Sequence, residues 1–230
     1  MSHRIVIPDD FPRVISGTTA EEKVRALGAV EIYPDKAKDQ DGLIQRIKDA
    51  EVVINIRAYS NLNADVMASC PKLRMISVWG TGTDNVDLAA ARKLGITVTN
   101  TPGANALSVA EHTVAILLAL ARQIPLLDRE TRAGKWPRVE MIQLSGKVLG
   151  IFGLGAIGKH MARMARGLGM DVVAWTRNPS PEREKETGIA FVSREDLLRR
   201  SDVVSLNLLL TDETRGFFKK PDFDLMKRSA

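Results

Sequence analysis

Cysteine is almost absent: Cys70 is the only one in 230 residues. No intramolecular disulfide and no thiolate metal cluster can be built from it, which is the pattern of a reducing compartment. Cys70 stands before Pro71 with no histidine near it in sequence, so it reads as incidental rather than nucleophilic. Aromatic residues are also scarce, at 5%, and the +5 net charge is scattered without a long basic run. A nucleic-acid groove wants clustered cations with aromatics between them, so no nucleic-acid partner is expected. The surplus charge belongs to a solvated surface, or helps attract an anionic cofactor and an acidic substrate. Long apolar runs are missing too. The N-terminal stretch Met1–Pro8 is too short for a signal peptide. The most apolar stretch, about Ala106–Ala121, contains Glu111 and His112 and ends at Arg122, too short and too charged to span a bilayer. No membrane partner is expected, and the reading is a cytoplasmic protein. Neither HExxH, nor GxSxG, nor a paired metal-ligand spacing occurs, so metal and serine-hydrolase chemistry have no support.

Hydrophobic residues make up 44% and charged residues 27%, the profile of a globular chain of one large or two ordinary domains. The most informative stretch is Val148-Leu-Gly-Ile-Phe-Gly-Leu-Gly-Ala-Ile-Gly-Lys159. An apolar run meets glycines at 153, 155 and 158, a helix-like pattern follows, and Val172-Val-Ala-Trp175 forms a second apolar run. Strand, tight turn, helix and strand in that order make a dinucleotide-binding βαβ unit. Gly153 turns the chain off the strand, Gly155 lets the backbone approach a pyrophosphate, and Gly158 lets the helix pack on the sheet. The helix N-terminus offers its unpaired N–H groups to the phosphates.

Before this unit, short apolar runs at Arg4–Pro8, Val30–Tyr33, Val52–Ile56, Leu73–Val78 and Ile96–Thr99 alternate with helical patterns. That alternation predicts an open, parallel α/β sheet over the first hundred residues. Asn63 is a possible N-cap, and Gly95 stops a helix over Val86–Leu94. Thr101-Pro-Gly103 breaks the pattern and marks a boundary, giving domains 1–101 and 102–230. The helix from about Asn105 to Arg122 is apolar nearly all round, which predicts burial between two bodies. After the glycine turn, Ser193-Arg-Glu-Asp196 fits a capping signal, Val203–Leu208 is a fourth strand, and Phe217–Met226 is helix-like. Four strands follow Ser145, where a complete dinucleotide domain usually has six.

Several residues are candidates for chemistry. An acidic residue about 20 positions on usually holds the adenine ribose. Here that strand ends Trp175-Thr176-Arg177, with Thr in the acid's place and Arg next. Losing a carboxylate removes repulsion, and Arg can pair with a 2′-phosphate, which tips the balance slightly toward NADP over NAD. In the alternative, Thr176 donates to the ribose of NAD and Arg177 is solvated. Trp79-Gly-Thr-Gly-Thr83 follows a strand and can aim backbone N–H groups at an anion. Arg57 ends a neighbouring strand, where a guanidinium can meet a carboxylate; the plain alternatives are a structural turn and a surface arginine. His112 is either a general acid or a satisfied core or interface residue, and the latter is the commoner case.

Leu73–Asp87, Ile96–Gly103, Ser108-Val-Ala-Glu-His112, Gly146–Gly158 and Ser201–Thr211 together resemble the D-isomer-specific 2-hydroxyacid dehydrogenases, closest to their phosphoglycerate dehydrogenase-like branch. The resemblance implies a flavodoxin-like substrate domain and a Rossmann dinucleotide-binding domain, both doubly wound parallel sheets, with the active site in the cleft between them. It implies hydride transfer between NAD(P)H and a small 2-keto or 2-hydroxy acid, in a homodimer. By likeness, Arg57 lies in the substrate loop, although Ala58 follows where Ser is frequent. Thr81 and Gly82 match the turn that holds the substrate carboxylate, and Thr81 can also touch the cofactor. Ala156 and Ile157 match the residues whose amides meet the pyrophosphate. Thr176 replaces the family's Asp, and Asn207 stands where His is common. Leu208 follows it, beside the nicotinamide half. His112 matches the family's Val-Ala-Glu-His motif and is not its acid–base residue. The family's catalytic Arg, Glu and His would lie beyond Ala230, so the reading is a C-terminally truncated dehydrogenase with little or no turnover of its own. A non-catalytic nucleotide-sensing or protein-interaction module is the alternative.

Overall fold

The computed structural model describes residues 3–230, which fall into two compact units, Met1–Ala104 and Asn105–Ala230. The break lies three residues past the Thr101 boundary read from sequence. Thr101 N–H donates to Gly80 O (2.8 Å) and Gly103 N–H to Thr81 Oγ1 (3.3 Å), which ties that Pro-Gly segment to the first unit.

In the first unit, β1 (His3–Ile7), β2 (Gly28–Ile32), β3 (Val52–Asn55), β4 (Met75–Val78) and β5 (Thr97–Thr99) pair in parallel in the order β2-β1-β3-β4-β5. Helices α1 (Thr19–Arg25), α2 (Gln40–Ile47), α3 (Ala64–Ala68) and α4 (Leu88–Lys93) make the crossovers. The helices start where short polar side chains satisfy the first free N–H groups. Asp39 accepts from Gly42 N–H, Asn63 from Val66 N–H and Asp87 from Ala90 N–H, each at 2.8–2.9 Å. Val6, Ile47, Val53, Leu62, Val66 and Ile76 are fully buried and form the centre of the core. This is the flavodoxin-like order, and its direction reverses between β1 and β3. Ligands of such sheets bind in the crevice beyond the carboxyl ends of the strands at that point.

The second unit begins with α5 (Ala106–Ala121) and α6 (Ile124–Arg132). Then follow β6 (Val148–Phe152), α7 (Ala156–Gly167), β7 (Asp171–Trp175), α8 (Pro181–Thr187), β8 (Ala190–Phe191), α9 (Arg194–Arg200), β9 (Val203–Leu206) and α10 (Lys220–Leu225). The sheet order is β8-β7-β6-β9, all parallel, the first half of a Rossmann sheet plus its switch to the fourth strand. Its two faces bury different residues because side chains alternate along each strand. Leu149 and Ile151 pack with Met161 and Ala165 of α7 and Ala110 of α5. Phe152 and Val173 pack with Leu197, Leu198, Phe217 and Phe218 on the other face. Phe217 and Phe218 precede α10 rather than opening it, and both rings stand edge-on to Phe152 at 5.6–5.7 Å.

The all-round burial expected for the long apolar helix does not occur. Ala106, Ala110 and Ala121 bury one side of α5 within its unit, whereas Leu107, Ile116 and Leu120 are exposed, Leu120 at 75%. His112 is exposed as well, which removes it from the core. No single described helix is long and apolar enough to cross a membrane.

Candidate functional site

In the first unit, Arg57 and the Gly80–Thr83 turn follow the adjacent parallel strands β3 and β4, so the carboxyl end of the sheet carries both. Arg57 is half-buried, and its Nε is buried without a partner among the described residues. Thr81 and Gly82 are exposed, and Gly80 takes φ +157°. Asn100 Nδ2 donates to Thr81 O (2.8 Å), which fixes the turn from the side of β5. The loop after Arg57 is pinned from beneath. Ser60 Oγ donates to the fully buried carboxylate of Asp9 (2.9 Å), and Asn85 Nδ2 donates to Ser60 O (2.6 Å). Asp9, Ser60 and Asn85 therefore link the ends of β1 and β3 to the turn after β4. Cys70 is buried, and burial pushes its thiol up to about 11, so it is inert at neutral pH.

In the second unit, the glycine turn joins β6 to α7. Gly153 takes φ +93°, and a Cβ there would stand 2.6 Å from Asn207 O. A Cβ on Gly158 would collide with Gly153 O, which is the close helix–turn contact expected of the third glycine. Gly155 differs from both, since a Cβ there would meet nothing within 4 Å. That open space lies at the N-terminus of the twelve-residue α7, where the first amides, including those of Ala156 and Ile157, have no partner inside the helix. A cradle that a side chain would fill, lined by N–H groups and the positive end of a helix, fits a pyrophosphate.

Thr176 and Arg177 end β7 and Asn207 and Leu208 end β9, on either side of the turn. Gly153 N–H donates to Trp175 O (2.9 Å) and Asn207 N–H to Phe152 O (2.8 Å), which holds the three strand ends together. Asn207 Nδ2 donates to Ser205 Oγ (3.1 Å). A cleft of about 230 Å³ opens between the ends of β7 and β9, lined by Trp175, Arg177, Leu208, Leu209, Thr211, Thr214 and Phe217. It is mostly apolar, as an aromatic base requires. Leu208 and Arg177 line the same cleft. The chain after β9 turns back over Phe152 toward Trp175, whose ring is 5.3 Å from that of Phe217.

Two charged residues near the end of β7 were not read from the sequence. Glu213 pairs with Arg177 Nη1 at 2.6 Å. Arg183 donates from Nη1 to Thr176 Oγ1 (3.2 Å) and Asn178 O (2.7 Å), and from Nη2 to Leu154 O (3.3 Å). Both belong to polar stretches without periodicity, and only the folded chain brings them to the end of β7. The described residues contain no cluster of three or more His, Cys, Asp or Glu able to hold a metal.

Residues 114–230 match the family model for the D-isomer specific 2-hydroxyacid dehydrogenase, NAD binding domain. The chain is 36% identical over 200 residues to a D-3-phosphoglycerate dehydrogenase of Archaeoglobus fulgidus, covering 86% of this chain and 38% of that one. It is 36% identical over 197 residues to a glyoxylate reductase of Aeropyrum pernix, covering 82% and 58% respectively. Among solved structures, the TT0316 protein of Thermus thermophilus superposes with a TM-score of 0.84 at 32% identity, covering 98% of this chain and 71% of that one. The chain thus spans about two-fifths to three-fifths of the length of those two curated relatives.

Proposed function

The chain belongs to the D-isomer specific 2-hydroxyacid dehydrogenase family, and on that premise we propose that it forms the nucleotide-binding and carboxylate-binding parts of an NAD(P)-dependent oxidoreductase acting on the CH–OH group of a small 2-hydroxy acid. The observation that carries this reading is the open space at Gly155, set between the closed positions Gly153 and Gly158 at the start of α7. When bound, the reduced nicotinamide supplies a hydride for the carbonyl carbon of a 2-keto acid. The residues of this chain bind and orient. The amides of Gly155, Ala156 and Ile157 hold the pyrophosphate, and Thr176 and Arg177 hold the ribose end. Asn207 and Leu208 line the cofactor side of β9. Arg57 and the amides of Thr81 and Gly82 hold the substrate carboxylate, an arrangement in which a guanidinium and backbone donors share one anion.

Thr176 in place of an acid, with Arg177 beside it, supports NADP over NAD, since a 2′-phosphate gains a cationic partner and meets no carboxylate at position 176. The exposed apolar side chains of Ile116 and Leu120 support a homodimer built on the C-terminal part of α5. Proton transfer is assigned to residues other than those of the binding turns, because none of the latter is a general acid. Calorimetric titration of the 230-residue chain with NADH and NADPH tests the reading, with saturable binding to both and tighter binding of NADPH expected. Absence of binding to either overturns the dinucleotide assignment. Little or no NAD(P)H oxidation is expected with glyoxylate, pyruvate or hydroxypyruvate, and steady turnover by this chain would overturn that expectation.

A further inference from the structure

Arg183 is held across the end of β7 by neutral oxygens alone. Its guanidinium spans from Leu154 O, inside the glycine turn, to Thr176 Oγ1 and Asn178 O at the end of β7. These two segments flank the adenine ribose in a dinucleotide fold. All three acceptors are neutral oxygens. The carboxylates nearby are engaged elsewhere: Glu184 accepts from Phe191 N–H, Glu186 pairs with Lys159 (2.7 Å) and Glu213 pairs with Arg177 (2.6 Å). Among the described residues Arg183 therefore makes no direct ion pair, although it is half-buried; Glu186 feels its charge only at a distance. A guanidinium has five N–H donors, and three are used, which leaves two for a further acceptor. The ring of Phe191 lies 5.4 Å from the guanidinium carbon and limits its movement.

We propose that Arg183 is a specificity-determining residue for the dinucleotide, the second arm of a clasp that receives a 2′-phosphate between Arg183 and Arg177. This rests on the NADP reading given above. The 2′-hydroxyl of NAD needs only one neutral partner, and Thr176 Oγ1 provides it. A 2′-phosphate brings close to two negative charges and three acceptor oxygens. It finds at Thr176 a hydroxyl already 3.2 Å from a guanidinium that has no direct ion-pair partner. Because the backbone fixes that guanidinium before the ligand arrives, little side-chain ordering remains to oppose binding. Arg177, by contrast, is exposed and must leave Glu213 to take part. Arg183 thus acts as the fixed arm and Arg177 as the mobile one. A merely structural brace between the turn and β7 would serve both dinucleotides alike, and this difference makes the assignment testable.

The test is calorimetric titration of the 230-residue chain, at low and moderate salt, with ADP-ribose and with 2′-phospho-ADP-ribose. These probes differ only at the proposed contact. The parent chain is expected to bind the phosphorylated probe at least about tenfold tighter, with the advantage shrinking as salt rises. Arg183→Gln is expected to lose about tenfold on the phosphorylated probe and less than about twofold on ADP-ribose, the size of one charge-assisted contact. Arg183→Lys keeps the charge and is expected to retain part of the preference; it carries the test if circular dichroism shows Arg183→Gln unfolded. Equal losses on both probes, in whichever variant folds, make Arg183 a brace and overturn the proposal while leaving the NADP reading intact. A parent chain that binds ADP-ribose as tightly as its 2′-phosphate overturns the NADP reading itself, and the role of Arg183 with it.

Discussion

Asp9 and Asp10 are neighbours with opposite electrostatics. Burial raises the proton affinity of Asp10, but the Ser16 hydroxyl (2.6 Å) and the N–H groups of Val14, Ile15 and Ser16 (2.7–3.2 Å) outweigh it. Its carboxyl therefore lies below the usual carboxylate range. For Asp9, burial prevails over the hydrogen bond from Ser60, so its carboxyl lies above that range. Linkage fixes the signs. The stability contributed by Asp10 is present above the unfolded carboxylate pKa and is lost as pH falls through its lowered folded value. That of Asp9 is complete below the unfolded pKa and is lost as pH rises through its raised folded value. In urea unfolding, Asp10→Asn is expected to cost about 1–3 kcal/mol at pH 7, a cost that shrinks toward pH 3. Asp9→Asn should look better relative to the parent at pH 7 than at pH 4; a change in the reverse direction would sink the account. Neither role is legible in the sequence. Ser60 lies 51 residues from Asp9, and nothing in local spacing pairs them. Arg183 escaped for a related reason, since its partners Leu154 and Thr176 meet only when β6 and β7 pair.

At the scale of elements, the β6–turn–α7 unit separates folding from binding in one short segment. Gly158→Ala places a methyl group against Gly153 O, and Gly153→Ala combines φ +93° with a 2.6 Å clash at Asn207 O. Each is expected to cost about 1–3 kcal/mol, a fall in melting temperature of several degrees for a chain of this size. Gly155→Ala meets nothing and has ordinary extended backbone, φ −85° and ψ −158°. It should leave the melting temperature within about a degree, since surface changes of this kind are nearly neutral. Its methyl group fills the space proposed for pyrophosphate, so a loss of about tenfold or more in NADPH affinity is expected from overpacking of one contact. Thermal melts and titrations of the same three variants read the two effects separately. If Gly155→Ala binds NADPH like the parent, the cradle does not hold the pyrophosphate. This element was legible in advance because the glycine spacing and flanking apolar runs are local. So were the caps: Asn63 accepts from Val66 N–H and Ser193 from Asp196 N–H, both within three residues. Phe217 and Phe218 were placed in a helix by their period, yet tertiary packing on Phe152 holds them outside it.

At the scale of the whole molecule, α5 shows why periodicity alone misleads. Its composition is apolar on nearly every side, which reads as burial between two bodies. Here only the side carrying Ala106, Ala110 and Ala121 is buried. Leu107, Ile116 and Leu120 remain exposed, as do Ile124 at the start of α6 and Trp136, Met141 and Ile142 beyond it. The last segment lies against the end of the helix, with Ile142 N–H donating to Ala121 O (2.9 Å) and Gln123 Nε2 to Glu140 O (2.9 Å). The exposed side chains at the end of α5 and those of this segment are therefore near one another in the fold. Exposed apolar side chains gathered in one region can mark an association surface. A second copy of this chain suits it, because a twofold interface pairs the same patch with itself and needs no other partner. The chain is expected to sediment as a dimer at micromolar concentration. Leu120→Glu places a charge on a side chain that is 75% exposed and touches little of its own unit, so the fold should persist by circular dichroism. Buried in a dimer, that unpaired carboxylate would be costly, and the variant should sediment as a monomer. A parent chain that is already monomeric, or a Leu120→Glu variant that remains dimeric, would show that this face is not where the copies meet.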